Sequence, residues 1–234
     1  MTEEFNLETY LKISSSKFAI YLFDLNNLNI LYKKEVKIEN NSDLIDFIKL
    51  NDFLKDNIFK IEKLTKNFVK NILLVIENNE ISSINLSLKK KNYQKIIYKK
   101  NLEILLTEAK ELFIESYRNE KIMHMILNKF SVNENLYSSF KENLSGENFR
   151  IEVQFKYIPN SFIEKIDKVL EKYQIEVSHY LDEYYIKNFF KGVDIEFPNM
   201  IYKISRGFNQ NEIKFIQKNP SKLAFFEKFF NLFS

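Results

Sequence analysis

The segment 149–157 alternates strictly between apolar and polar residues. Successive side chains of a β-strand point to opposite faces, so this spacing predicts a strand with one face in a core and the other in solvent. The apolar face must be covered by a second layer of structure, which the rest of the chain has to supply. The alternating apolar residues are Phe149, Ile151, Val153, Phe155 and Tyr157.

Other segments repeat with the period of a helix. Apolar residues recur every three or four positions in 50–68, 101–117 and 162–173, which predicts three helices with one buried face each. Asn51 or Asp52 is expected to cap the first, and Asn160 or Ser161 the third. Further helices are expected near 180–190 and, where the pattern is weakest, near 201–208. Apolar runs predict strands at 17–23, 28–32, 35–38, 72–76, 81–88, 121–132 and 175–177. The alternation predicts a mixed α/β (α+β) fold.

Composition excludes several classes of function. The chain has 35 basic and 32 acidic residues, a net charge of +3, and this balance is unlike the concentrated positive charge of a nucleic-acid-binding domain. It has no cysteine, so disulfides, thiol nucleophiles and thiolate metal sites are excluded. The acidic N-terminus is not a secretory signal. We therefore expect a cytoplasmic protein without a nucleic-acid partner.

One part of the chain resembles a known family. The strand 121–132, the residues Leu144-Ser145-Gly146, the strand that ends at Ile158 and the helix that ends at Tyr173 are similar, in this order, to the bacterial cell-division protein FtsA. The resemblance covers about residues 11–190 and is specific only in 121–178. It implies an SHS2-type 1C module inserted into part of an actin-like 1A subdomain.

The resemblance also implies domain boundaries. Residues 1–80 and 179–190 are expected to form the remnant of actin-like subdomain 1A, and residues 81–178 the 1C-like interaction module. Residues 191–220 would be a linker or a remnant segment. Residues 221–234 would form an amphipathic helix.

Nucleotide binding of the actin-like kind is not expected. Actin-like ATPases use an Asp-x-Gly-Thr/Ser loop, in which glycine lets the backbone approach the phosphates. The corresponding place here reads Lys12-Ile13-Ser14-Ser15-Ser16-Lys17, and the whole chain has only three glycines. We therefore expect neither a cofactor nor enzymatic activity. His124 and His179 have no flanking carboxylate pair, and we expect structural roles for both.

The C-terminal segment has the pattern of a membrane-binding helix. At 100° per residue its apolar side chains fall on one side, opposite Glu227, Lys228 and Asn231. A short helix of this kind can lie in a membrane interface, although a docked core helix has the same pattern. We expect it to bind the anionic inner face of the cell membrane. The predicted membrane-binding residues are Leu223, Phe225, Phe226, Phe229, Phe230, Leu232 and Phe233.

The resemblance also implies protein partners. The family's module faces late division proteins and neighbouring copies, so we expect a peripheral membrane adaptor at the division site, with FtsZ contacted at most indirectly. The rival hypothesis is an actin-like assembly platform of a pilus or secretion system, because proteins of that branch share the SHS2 type. The expected partner-binding residues are Met123, Met125, Phe130, Leu144, Gly146, Phe149 and Ile151.

Overall fold

We describe a computed structural model of the 234-residue chain. The described residues are 6–39, 43–93, 96–137 and 144–214. The strands are β1 (Leu7–Ile13), β2 (Lys17–Asp24), β3 (Asn29–Lys37), β4 (Asn71–Ile76), β5 (Ser82–Lys91), β6 (Ile96–Ile97), β7 (Glu120–Val132), β8 (Asn135–Tyr137), β9 (Leu144–Ser145), β10 (Asn148–Pro159) and β11 (Glu176–Asp182). The helices are α1 (Phe47–Thr65), α2 (Lys99–Ser116), α3 (Asn160–Leu170), α4 (Glu183–Phe189) and α5 (Phe197–Ser205), and a 3₁₀ turn spans Glu171–Tyr173. The mixed α/β fold class is confirmed.

The chain divides into two compact units. Of the described residues, unit 1 contains those up to Ile81 together with Ile158–Arg206, and unit 2 contains those of Ser82–Tyr157 together with residues 207–214. Unit 2 is therefore an insertion in the sequence of unit 1, and each unit is closed by a later segment of the chain.

Unit 1 is built on a five-stranded sheet of order β11-β4-β1-β2-β3. β1 pairs parallel with β4, and β4 pairs parallel with β11, whereas β2 and β3 add antiparallel on the other side of β1. Helices cover both faces of the sheet. The Phe18 ring lies 5.9 Å from Phe53 of α1, and the Phe23 ring lies 5.7 Å from Tyr202 of α5. Phe18 and Phe23 are five positions apart on β2, an odd number, so their side chains point to opposite faces of the sheet.

Unit 2 is built on a four-stranded sheet of order β5-β10-β7-β8. The apolar residues of β10 pack inward against Leu102, Leu105, Leu106 and Phe113 of α2, and the predicted alternation is confirmed. A short segment after Arg206 closes the other side of β7, where the Leu127 amide donates to the Asn211 carbonyl at 2.8 Å and the Ile213 amide donates to the Met125 carbonyl at 2.8 Å. We call residues 207–214 the closing segment.

The structure differs from the sequence predictions at several element boundaries. β1 was not predicted, because Glu8, Thr9 and Lys12 interrupt its apolar run, although the last two are buried. The two predicted strands at 28–32 and 35–38 form the single strand β3, in which Lys33-Lys34 lies on the sheet edge instead of in a turn. Lysines at such an edge oppose pairing with another chain.

The helix starts and one domain boundary also differ. Asp46, not Asn51 or Asp52, caps α1, and its Oδ1 accepts hydrogen bonds from the amides of Ile48 and Lys49 at 3.0 Å each. α3 follows Pro159 without a side-chain cap. Residues 159–178 are predicted to belong to the inserted module, but the structure places α3 in unit 1. The apolar face of α3 packs beside α1, where the Phe47 and Phe162 ring centroids lie 6.3 Å apart.

No helix in the described ranges has the length and apolarity needed to cross a bilayer. The predicted membrane-binding helix, with Leu223, Phe225, Phe226, Phe229, Phe230, Leu232 and Phe233, lies outside the described residues.

Candidate functional site

The carboxyl ends of three parallel strands meet at one edge of the unit 1 sheet. In α/β sheets this edge is where ligands commonly bind. Lys12 lies near the end of β1, Glu77 directly follows β4, and Glu183 begins α4 directly after β11. The place where the resemblance would put a phosphate loop therefore carries one lysine and two carboxylates from three different segments.

These side chains form an ion-pair cluster. Lys12 Nζ and Lys187 Nζ each lie 2.6 Å from the same Glu183 Oε1, and Lys12 Nζ lies 4.0 Å from Glu77 Oε2. The Phe197 ring lies 5.5 Å from Lys12 Nζ and 6.0 Å from Lys187 Nζ, within the range of cation–π attraction. We call Lys12, Glu77, Glu183, Lys187 and Phe197 the strand-end cluster.

Burial makes the pairing inside this cluster essential. Only 1% of the Glu183 side chain is exposed, so its charge must be compensated by the two lysines. Burial and repulsion from the Glu183 charge raise the pKa of Glu77, while Lys12 opposes that rise. The hydrogen bond to Glu183 raises the pKa of Lys187, which stays charged.

One further carboxylate oxygen of the strand-end cluster belongs to Glu183. Glu183 Oε2 is buried and has no hydrogen-bond donor when both carboxylates are ionised. The cluster holds two lysines against two carboxylates, so its charges balance when both carboxylates are ionised.

The predicted phosphate-loop remnant is a short turn between β1 and β2. Ser14 Oγ accepts a hydrogen bond from the Lys17 amide at 2.9 Å and donates to the Lys17 carbonyl at 3.1 Å. The serine hydroxyl is therefore used within the turn itself. Within the described ranges no group of three or more metal-ligating side chains is found.

The predicted partner-binding residues of unit 2 lie mostly inside its core. Met125, Phe130, Phe149 and Ile151 are each 2% exposed or less. Gly146 is buried as well, and a Cβ atom there would collide with the Val132 side chain. These four side chains and the Gly146 backbone pack the interior of the unit, so the structure contradicts a direct partner contact by these five residues. For Phe149 and Ile151 the alternation along β10 marks the buried face of the sheet. Met123 and Leu144 are partly exposed.

The opposite face of the same sheet carries a groove of about 600 Å³. We call this the basic groove, because Arg150 on β10 stands directly across from Lys89 on β5 in the antiparallel register. The run Lys89-Lys90-Lys91 was visible in the sequence, but nothing there showed that Arg150 would join it. The other residues that line the groove include Ser131, Asn133, Leu136 and Asn148.

The buried histidine of unit 2 has a structural partner. His124 is 1% exposed, and its Nδ1 lies 2.7 Å from Glu212 Oε1 on the closing segment. This pair links β7 to the closing segment, in agreement with the structural role expected for His124.

Comparisons with known proteins were made for the sequence and for the fold. No protein-family model matches the sequence, and no curated protein matches it. Among solved structures, a PilM–PilN type IV pilus biogenesis complex is similar with a TM-score of 0.47 and 10% identity, over 78% of this chain and 49% of that chain.

Two further solved structures are similar. The cytoplasmic domain of EpsL, an inner membrane component of the type II secretion system of Vibrio cholerae, has a TM-score of 0.37 and 9% identity over 76% of this chain and 57% of that chain. A Bacteroides thetaiotaomicron protein with an actin-like ATPase fold has a TM-score of 0.34 and 16% identity over 80% of this chain and 57% of that chain. This chain thus spans about half the length of the solved chains, and similarity at this level identifies neither a family nor a function.

Proposed function

We propose that this chain is a non-catalytic adaptor in the assembly of a membrane-associated protein machine, and that it binds a partner protein through the outward sheet face of unit 2. The observation that carries the non-catalytic part is the strand-end cluster. There the edge that would face a nucleotide is occupied by ion pairs between the chain's own side chains.

The charges of this edge argue against a bound nucleotide. A phosphate approaching it would meet Glu183, which is buried and already takes both lysines, and Glu77 beside it. Drawing Lys12 toward a phosphate would leave the Glu183 carboxylate buried with Lys187 as its remaining partner, which costs on the order of 2 kcal/mol.

The proposal also concerns which kind of protein machine the adaptor belongs to. A pilus or secretion assembly platform is supported at least as well as a cell-division adaptor, since two of the three similar structures are components of a type IV pilus or a type II secretion system. No observation above is specific to cell division. Attachment to the inner face of the membrane through residues 221–234 remains part of the proposal for either class.

Calorimetry with magnesium and ATP tests the non-catalytic part. We expect no heat of binding from the whole chain, even at ATP concentrations well above those that saturate actin-like ATPases. A second titration with the Lys12→Met variant serves as control, and it should also give no heat. Saturable binding by the unmodified chain would contradict the proposal.

Site-specific photo-crosslinking in cells tests the adaptor part. A photo-reactive amino acid at Leu136, which is 71% exposed beside the basic groove, should crosslink to a protein partner. The same amino acid at Ile104, which is 44% exposed on α2 behind the sheet, is the matched control and should not. Equal crosslinking from the two positions, or none from either, would contradict binding through the outward face.

A further inference from the structure

We propose that the basic groove on the outward face of unit 2 binds a short, extended, acidic peptide segment of the partner protein. This inference rests on the proposed adaptor function and names the chemistry of the partner. It depends on the charges, the lining and the shape of the groove.

The cations that line the groove, Lys89 and Arg150, outnumber its one carboxylate, Glu134. Arg150 lies directly opposite Lys89, and the next same-face pair along the ladder is Asn148 opposite Lys91, so three cations lie side by side. Like charges opposite each other on a sheet are destabilising. Among the described residues no carboxylate pairs with Lys89, Lys91 or Arg150.

Two other lysines of unit 2 form ion pairs with carboxylates, which distinguishes them from Lys89, Lys91 and Arg150. Lys129 Nζ lies 3.0 Å from Glu152 Oε2, and Lys90 Nζ lies 3.7 Å from Glu108 Oε2. Within the described ranges Arg150 is hydrogen-bonded through its Nε, which donates to Ser87 Oγ at 2.6 Å. That bond holds the guanidinium in place and leaves its two terminal nitrogens for a carboxylate, which Arg binds in a bidentate manner.

The lining of the groove suits a peptide backbone as well as an acidic side chain. Asn133 is held in place, because its Oδ1 accepts hydrogen bonds from the amides of Glu147 and Asn148 at 3.0 and 3.1 Å. Ser131 and Asn148 add polar groups that can bond to main-chain atoms. Leu136, 71% exposed, offers an apolar contact for one side chain of the peptide.

The shape of the groove favours a peptide over a lipid surface or a nucleic acid. A volume of about 600 Å³ lies within the range of small-ligand sites, and a recessed site admits a chain more readily than a flat bilayer. The four strands span about 14 Å, which an extended peptide crosses with about four residues. Glu134 also lines the groove and leaves Lys89 and Arg150 with one cation in excess, which matches the separated carboxylates of a peptide better than the continuous phosphates of a nucleic acid.

Fluorescence anisotropy with a defined peptide tests the proposal. The probe is a fluorescein-labelled peptide of about ten residues with three Glu around one Leu, and the matched probe has Gln in place of Glu. We expect the whole chain to bind the Glu probe at least about tenfold more tightly than the Gln probe. Binding should weaken as salt is raised, because screening reduces attraction between exposed charges.

Substitutions locate the binding. Arg150→Glu should weaken binding of the Glu probe by about tenfold or more, and Arg150→Gln by less. Lys100→Glu makes the same change of charge at an exposed position in the first turn of α2, on the far side of the sheet, and should leave binding unchanged. Circular dichroism of each variant confirms folding, and the neutral Arg150→Gln variant keeps the test valid should Arg150→Glu fail to fold.

Several outcomes would overturn the inference. These are equal binding of the Glu and Gln probes, equal loss from Lys100→Glu and Arg150→Glu, or binding only to phosphatidylglycerol vesicles or single-stranded DNA with no binding of the Glu probe. Crosslinking from Leu136 that persists in the Arg150→Glu variant would overturn the acidic-peptide groove and leave the adaptor proposal standing. Saturable ATP binding together with normal binding of the Glu probe would overturn the non-catalytic part of the proposed function and leave the acidic-peptide groove standing.

Discussion

Two lysines of unit 1 reach the same carboxylate oxygen at the same distance but differ in their exposure to solvent. Lys12 and Lys187 each lie 2.6 Å from Glu183 Oε1, with side-chain exposures of 9% and 56%. An exposed ion pair is screened by water and contributes little, whereas breaking a buried pair leaves an uncompensated charge in the interior. Lys12 should therefore stabilise the protein much more than Lys187.

We expect Lys12→Met to lower the free energy of unfolding by about 2 kcal/mol, because Glu183 would remain buried with one partner fewer. Lys187→Met should lower it by less than about 1 kcal/mol, because that lysine is mostly exposed. Urea unfolding of both variants measures the difference. Equal losses would show that burial does not determine the strength of these pairs.

At the scale of elements, the β2–β3 pair is joined by a cluster of side chains near the sheet edge. Glu35 lies opposite Ala19, whose small side chain leaves space for diagonal contacts. Lys17 Nζ donates to Glu35 Oε2 at 2.6 Å, and the Tyr21 hydroxyl donates to Glu35 Oε1 at 2.6 Å. The hydrogen bonds from Lys17 and Tyr21 lower the pKa of Glu35 to about 2.

This pKa shift predicts a dependence of stability on pH. A carboxylate whose pKa is lowered by folding stabilises the folded state above its unfolded pKa, and the stabilisation is lost as pH falls through the folded value. For Glu35 the loss should extend from about pH 4.5 down to about pH 2. Glu35→Gln should remove this part of the acid sensitivity in chemical unfolding measured across that range.

A matched control uses Glu39, which is exposed just beyond the end of β3. Glu39→Gln makes the same change of charge outside the cluster of Glu35, Lys17 and Tyr21. It should leave the slope of stability against pH close to that of the unmodified chain. A Glu35→Gln profile with the same slope as the control would contradict the assignment.

At the scale of the whole molecule, the chain builds each unit from segments far apart in sequence. Residues 158–206 complete the first unit after the second has been inserted, and the closing segment then returns to the second. Ile213 joins the core of unit 2, and Glu212 meets the buried His124. Unit 2 is therefore incomplete without residues that follow unit 1 in the sequence.

We expect a chain cut after Arg206 to lose stability in unit 2 specifically. The Leu127 amide would lose its acceptor on Asn211, and removal of Ile213 would leave a gap in the core. Hydrogen exchange should show faster exchange along β7 and unchanged protection of β1 and β4. A chain cut after Lys214 keeps the closing segment and should retain protection of β7, and if it does not, the closing segment is not the cause.

The sequence by itself determined the elements whose pattern is local. The alternation of Phe149, Ile151, Val153 and Phe155 predicted a strand with one buried face, and the helix-like spacing of 101–117 predicted α2. These predictions succeed because the period of apolar residues follows from backbone geometry within a few residues. The alternation could not tell that the buried face would be closed by α2 and unavailable to a partner.

Only the tertiary structure decided the pairs that define the candidate sites. Lys12 meets Glu183 across 171 positions, and Arg150 meets Lys89 through the register of two strands. Nothing near Lys12 in the sequence indicates a buried partner, because pairing between distant segments depends on strand order and register, which local patterns do not contain. Composition could exclude thiol chemistry, but which charges are compensated and which are left for a partner follows from the fold alone.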